Sequence, residues 1–103
     1  MDKIAGLKDI LAQDPKNSFA RYGLAMELAG CGETEPALAE FSTLVAIDPD
    51  YTAAYFMAAQ TLANAGRAPE AIERLKAGVI CANRVGNTHA LSEMQAMLDE
   101  LDR

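Results

Sequence analysis

The sequence predicts an all-α fold of packed helix pairs, and three observations point to it. The chain matches itself at an offset of 34 residues. Apolar residues recur at helical rather than strand spacing, between breaks made of Gly and Asp-Pro. Ala is the commonest residue while Val and Ile are sparse, so there is material for close helix packing and little for strands.

The repeat organises the whole chain. Between residues 18–51 and 52–85, identical pairs are Ala20/Ala54, Ala25/Ala59, Leu28/Leu62, Ala29/Ala63, Gly32/Gly66, Ala37/Ala71 and Val45/Val79. Conservative pairs are Ser18/Thr52, Tyr22/Phe56, Leu38/Ile72 and Phe41/Leu75. The same offset reaches backward, where Asp14-Pro15 matches Asp48-Pro49 and Leu7, Ile10 and Leu11 match Phe41, Leu44 and Val45. One domain spans 1–103: a half repeat over 1–17, full repeats over 18–51 and 52–85, and a capping helix over 86–103.

The elements follow in order. The opening helix carries Ile4, Leu7 and Leu11 on one stripe, with Lys3, Asp9 and Gln13 elsewhere. A second helix runs from about 18 to 30 through Phe19, Tyr22, Leu24 and Leu28, and Gly30-Cys31-Gly32 ends it because Gly takes the left-handed C-cap conformation readily. Thr34 is positioned to cap the third helix, with Pro36 in its first turn. That helix passes through Leu38, Phe41, Leu44, Val45 and Ile47, then stops at Asp48-Pro49, since a residue before Pro is pushed out of the helical region. The next pair repeats the plan over 52–64 and from Pro69 to about Ala82, with Gly66 between them. Asn83 replaces the closing Pro, which softens the last stop. In the tail, Asn87 or Thr88 can cap a helix whose stripe is Leu91, Met94, Leu98 and Leu101, with Glu93, Asp99, Glu100 and Asp102 off it. A repeat array needs such a half-polar terminal element.

Leu24-Ala25, Leu28, Gly32, Ala37, Phe41 and Pro49, answered by Ala58-Ala59, Leu62, Gly66, Ala71 and Leu75, resemble the tetratricopeptide repeat over nearly the whole chain. The segment Gly86-Asn87-Thr88-His89-Ala90 with Met94 is also similar to the ends of small bacterial tetratricopeptide proteins. The resemblance implies an α-α superhelix, a solenoid of antiparallel helix pairs. Small residues at Ala25, Ala37, Ala59 and Ala71 would sit at close helix crossings. Two positions depart from the pattern: Arg21 stands where an aromatic is usual, though Tyr55 keeps it, and Leu44 stands where Gly78 keeps a small residue.

Composition excludes several functions. Fifteen acidic and nine basic residues give a net charge of −6, with no Lys/Arg run, so nucleic acid and anionic membranes are not expected partners. Neutral or basic peptides suit the balance better. Charges every few residues at the N-terminus do not suit a signal peptide, and no apolar run nears the ~20 residues that span a bilayer. A soluble cytoplasmic protein is expected. Cys31 and Cys81 fall at a turn and at the far end of a helix, so they should lie beyond the ~7 Å Cα limit for a disulfide and stay reduced. A single His gives no metal-ligand set, and no cofactor is expected. His89, Ser92 and Glu93 make an ordinary polar helix face rather than a catalytic group, so no enzyme activity is expected.

In the resembled family the first helix of each pair lines a concave groove. The positions implied here are Phe19, Tyr22, Met26 and Ala29, then Ala53, Phe56, Gln60, Ala63 and Asn64; of these Phe19, Tyr22, Met26, Phe56, Gln60 and Asn64 are the candidate partner-binding set. Two arrangements are open. The final helix either covers the aromatics through Met94, Leu98 and Leu101, or stands beside them as a further first helix with His89 and Ser92 turned inward. Some relatives hold a peptide carboxylate with Lys, Asn and Arg, but the matching positions here are Tyr22, Met26, Met57 and Leu91. The expected function is therefore capture of an unidentified protein or peptide segment by a monomer or weak homodimer. The alternative is a self-assembling unit that pairs through the groove or an open end.

Overall fold

A computed structural model describes residues 2–103. It contains six helices: α1 (Lys3–Gln13), α2 (Ser18–Gly30), α3 (Thr34–Ile47), α4 (Thr52–Asn64), α5 (Ala68–Val85) and α6 (Thr88–Leu101). Among the described residues there is no strand. The chain divides into two compact units, one ending at Asp48 and one spanning Pro49–Arg103.

In the first unit α2 packs against both α1 and α3. Its core is Leu11 from α1, Ala20, Leu24, Ala25 and Leu28 from α2, and Ala37, Phe41 and Leu44 from α3. In the second unit α5 packs on both α4 and α6, and α4 also touches α6. Its core is Ala54, Ala58, Ala59 and Leu62, then Ala71, Leu75, Cys81 and Ala82, with Met94 from α6. Alanines at the contact faces let the helix backbones approach. Ala25, Ala37, Ala59 and Ala71 are wholly buried, as their repeat positions predict.

The turns carry out what the sequence signals. Gly32, Gly66 and Gly86 all have positive φ near 76° (78°, 76° and 75°). After each, the chain folds back so that one amide bonds a carbonyl five residues earlier: Glu33 N–H to Leu28 O, Arg67 N–H to Leu62 O, and Asn87 N–H to Ala82 O, each 2.9 Å. These are the six-to-one closures of helix C-termini, and they require the left-handed residue that Gly supplies. Asp14 and Asp48, each before Pro, instead leave the helical region at φ −138° and −135°.

Two details of the elements differ from expectation. Thr34 is not the cap of α3. Glu33 holds the N-cap position with no side-chain bond, because the tight Gly32 reversal returns the chain to helical geometry at Thr34 itself. The helix expected to end near Ala82 runs on to Val85, since nothing at Asn83 blocks it until Gly86 turns left-handed. Asn87 is the cap of α6, its side chain accepting from Ala90 N–H at 3.0 Å, as Asn17 does from Ala20 N–H at 2.9 Å.

Arg21, the departure from the aromatic pattern, does the aromatic's work. Its Nη2 donates to Pro15 O at 2.9 Å, and the Tyr55 hydroxyl donates to Pro49 O at 3.0 Å. Both donors lie six residues after their acceptor, 34 residues apart in the repeat. The exchange is compensated nearby. Arg21 Nη1 bonds Glu40 Oε1 at 2.6 Å, and the position matching Glu40 in the second repeat is Arg74, a cation whose charge reaches Tyr55. Where the first helix carries Arg the second carries Glu, and where the first carries Tyr the second carries Arg.

Candidate functional site

Each unit presents part of the predicted binding set, and each is described by itself. In the first unit, Phe19 lies on the first turn of α2 with 81% of its surface exposed. Ala20, Leu24, Ala25 and Leu28 bury the other face of α2, and the helical period turns Phe19 away from it. Tyr22 is only half-exposed. Its ring meets Phe41 edge-on, with centroids 6.4 Å apart and planes at 63°. Tyr22 therefore belongs partly to the core, because an edge-to-face pair with a buried ring is a packing contact. Met26, one turn further along α2, is half-buried.

In the second unit, α4 and α6 flank a cleft of about 320 Å³ lined by Phe56, Gln60, Glu93, Ala96, Met97 and Glu100. Phe56 and Gln60 come from the predicted set, at i and i+4 on α4. Asn64 ends α4, is exposed, and is not among the residues that line the cleft. The other wall was not foreseen residue by residue. Glu93, Met97 and Glu100 supply it from α6, while Ser92 faces solvent. The pattern held a signal for it: Glu93, Met97 and Glu100 recur at i, i+4 and i+7, one face of a helix whose buried residue is Met94.

A close convergence in the middle of α5 helps to place α6 beside α4. Gly78 is buried, and a Cβ built there would stand 2.7 Å from Tyr55 Cβ on α4 and tighter still against Met94 Sδ on α6. Absence of a side chain at this position lets all three helices converge. Asn87 adds a tie, its amide donating to Thr52 Oγ1 at the start of α4, 3.1 Å away. The last helix is thus a wall of the cleft rather than a lid over Phe56.

The electrostatics of the unit separate structure from site. Arg84 reaches Asp50 at 2.5 Å, and that hydrogen bond pushes its pKa further up. Burial raises the Tyr55 phenol above its ordinary value. Cys81 is buried with Sγ 3.2 Å from Pro49 O, whereas Cys31 is exposed. His89 Nε2 lies 3.3 Å from Glu93 Oε1 on the surface of α6. The cleft itself carries two carboxylates and one amide over an apolar floor, and no lining residue is basic. Such a surface can exclude water from an apolar side chain and accept hydrogen bonds, but it offers no nucleophile aligned with a base. Among the described residues no group of three His, Cys, Asp or Glu side chains could hold a metal ion. No described helix is long and apolar enough to cross a membrane.

Comparison with known proteins fits this architecture. A tetratricopeptide repeat family model matches residues 28–98. A solution structure of a tetratricopeptide repeat domain protein from Salinibacter ruber is 32% identical, covers 84% of this chain and 88% of its own, and superposes with a TM-score of 0.79. A solution structure of a protein from Bordetella parapertussis is 25% identical over all of this chain and 90% of its own, with a TM-score of 0.86. The Yersinia enterocolitica type III secretion chaperone SycD, in complex with a peptide of the translocator YopD, shares the fold at 20% identity and a TM-score of 0.86, covering 96% of this chain and 76% of its own. No curated protein matches the chain.

Proposed function

We propose that this chain, which belongs to the tetratricopeptide repeat family, is a non-catalytic module that binds a segment of another polypeptide on the exposed faces of its first helices, α2 and α4. The observation that carries the reading is the cleft between α4 and α6, where Phe56 and Met97 form an apolar floor that the unit's own core leaves open. Aromatic and Met side chains suit this use, since the ring supplies contact area and the thioether adapts to shape. Phe19 on α2, more exposed than any other large apolar residue described, adds a second contact surface of the same kind. Tyr22 and Met26 serve that surface from their exposed edges, and Gln60 and Asn64 supply amides along α4. A peptide held by SycD, a protein of the same fold, supports the mode.

The domain organisation follows the repeat. We assign α1 to a half repeat, α2–α3 and α4–α5 to full repeats, and α6 to a cap that doubles as a first helix. A carboxylate-terminated tail is a poor ligand for this surface, because Tyr22, Met26, Met57 and Leu91 occupy the places a cationic clamp would need.

Affinity capture from cells of the source organism tests the reading, with wild-type protein beside Phe19→Ala/Phe56→Ala. The helicity of the double variant is checked against wild type first. A specific protein retained by wild type and lost by the variant is the expected result. Equal retention by both would remove these surfaces from the binding account.

A further inference from the structure

The cleft has a chemical bias that narrows its occupant. Phe56, Ala96 and Met97 are apolar, while Glu93, Glu100 and Gln60 supply its polar groups. Ionised carboxylates only accept hydrogen bonds, and the single amide can do either. Glu93 and Glu100 are seven residues apart on one face of α6, which puts them about 10 Å apart along the axis at the helical rise, with Met97 between. Glu93 Oε1 lies 3.3 Å from His89 Nε2, and Glu93 also lines the cleft. The chain as a whole carries a net charge of −6. An acidic segment would meet repulsion here, and a purely apolar one would strip water from two carboxylates without replacing it.

We propose that the cleft takes a basic amphipathic segment: a bulky apolar side chain seated against Phe56 and Met97, with a Lys or Arg on each side reaching Glu93 and Glu100. This rests on the reading of the chain as a polypeptide-binding module and adds the chemistry of the partner. The volume of about 320 Å³ accommodates one or two large side chains rather than a folded surface. Opposite charges flanking an apolar contact fix register and quicken encounter more than they add affinity, so the preference is one of sign.

Fluorescence anisotropy with two labelled peptides tests this. One contains Lys, Leu and Ala in an amphipathic order, and the other has Glu for every Lys. Wild-type protein should bind the Lys peptide and not the Glu peptide. Glu93→Gln/Glu100→Gln should weaken the Lys peptide at least about threefold at low salt, with the difference shrinking as salt screens the pairs. Asp9→Asn/Glu33→Gln, the same change in net charge on the other unit, should leave it unmoved. Equal binding of both peptides, or equal losses in the two double variants, overturns the proposal. If Phe56→Ala abolishes binding that shows no charge preference, the module reading stands and the basic partner does not. Failure of wild type to bind the Lys peptide also overturns the proposal, while the affinity capture judges the module reading separately.

Discussion

Replacing Gly78 with Ala is expected to destabilise the protein although it improves the helix. In an α-helix interior Ala is favoured over Gly by about 1 kcal/mol, and Gly78 lies near the middle of α5. Against that stands the convergence of three helices. The added carbon would come within 2.7 Å of Tyr55 Cβ and into Met94 Sδ. Met94 can rotate away at the expense of its packing, but Tyr55 Cβ is fixed to the α4 backbone, so α4 and α5 must separate. Overpacking of a filled core typically costs about 1–3 kcal/mol, which leaves a net loss of roughly 1 kcal/mol and at most about 2. Gly6 is the control. It is also helical and exposed, and a Cβ there meets nothing within 4 Å. Gly6→Ala should therefore stabilise by up to about 1 kcal/mol. Urea unfolding followed by far-ultraviolet circular dichroism should move the two midpoints in opposite directions. In a Met94→Ala background the Gly78→Ala loss should shrink without vanishing, because the Tyr55 contact remains. A Gly78→Ala midpoint that rises as the Gly6→Ala midpoint does would refute the convergence, and with it the placement of α6 as a wall of the cleft.

Other expectations follow from burial. Ala37→Leu and Ala71→Leu should each cost about 1–3 kcal/mol in the same melts, since both sites are wholly enclosed. Leu28→Ala should cost about 2–5 kcal/mol, whereas Phe19→Ala should stay within about 0.5 kcal/mol because its ring packs on little; Tyr22→Ala should fall between them through its loss of Phe41. A thiol reagent should modify Cys31 in the folded protein and Cys81 only as the chain unfolds, measured by mass spectrometry over time.

The helices were legible in the sequence because their stop signals are local. Gly32 and Gly66 end helices by backbone conformation, and Asp14-Pro15 and Asp48-Pro49 by steric exclusion, so their effects need no tertiary context. The α5 terminus was misplaced for the converse reason: a missing proline removes a stop without indicating where the next one lies. Thr34 misled because capping preference is weaker than the geometry of the preceding turn. Arg21 read as a departure since residue type alone does not show that guanidinium and phenol can reach the same carbonyl. Half of the cleft lining was legible because the family resemblance implies an open first-helix face that includes Phe56 and Gln60. Its other half depended on how α6 docks. That docking depends on the Gly78–Met94 contact, which the preceding repeat does not reveal, because Leu44, the residue aligned with Gly78, is itself a buried core side chain.

The central claim is that partners meet the protein at α2 and α4 first-helix faces rather than elsewhere, and site-specific photo-crosslinking in cells tests it most directly. A photoreactive amino acid would replace Phe19, Gln60 or Glu73 in turn, the last being an exposed residue of α5 remote in role from the cleft lining. Irradiation is expected to trap a protein partner from positions 19 and 60 and none from 73. Adducts from 73 with none from 19 or 60 would contradict the account.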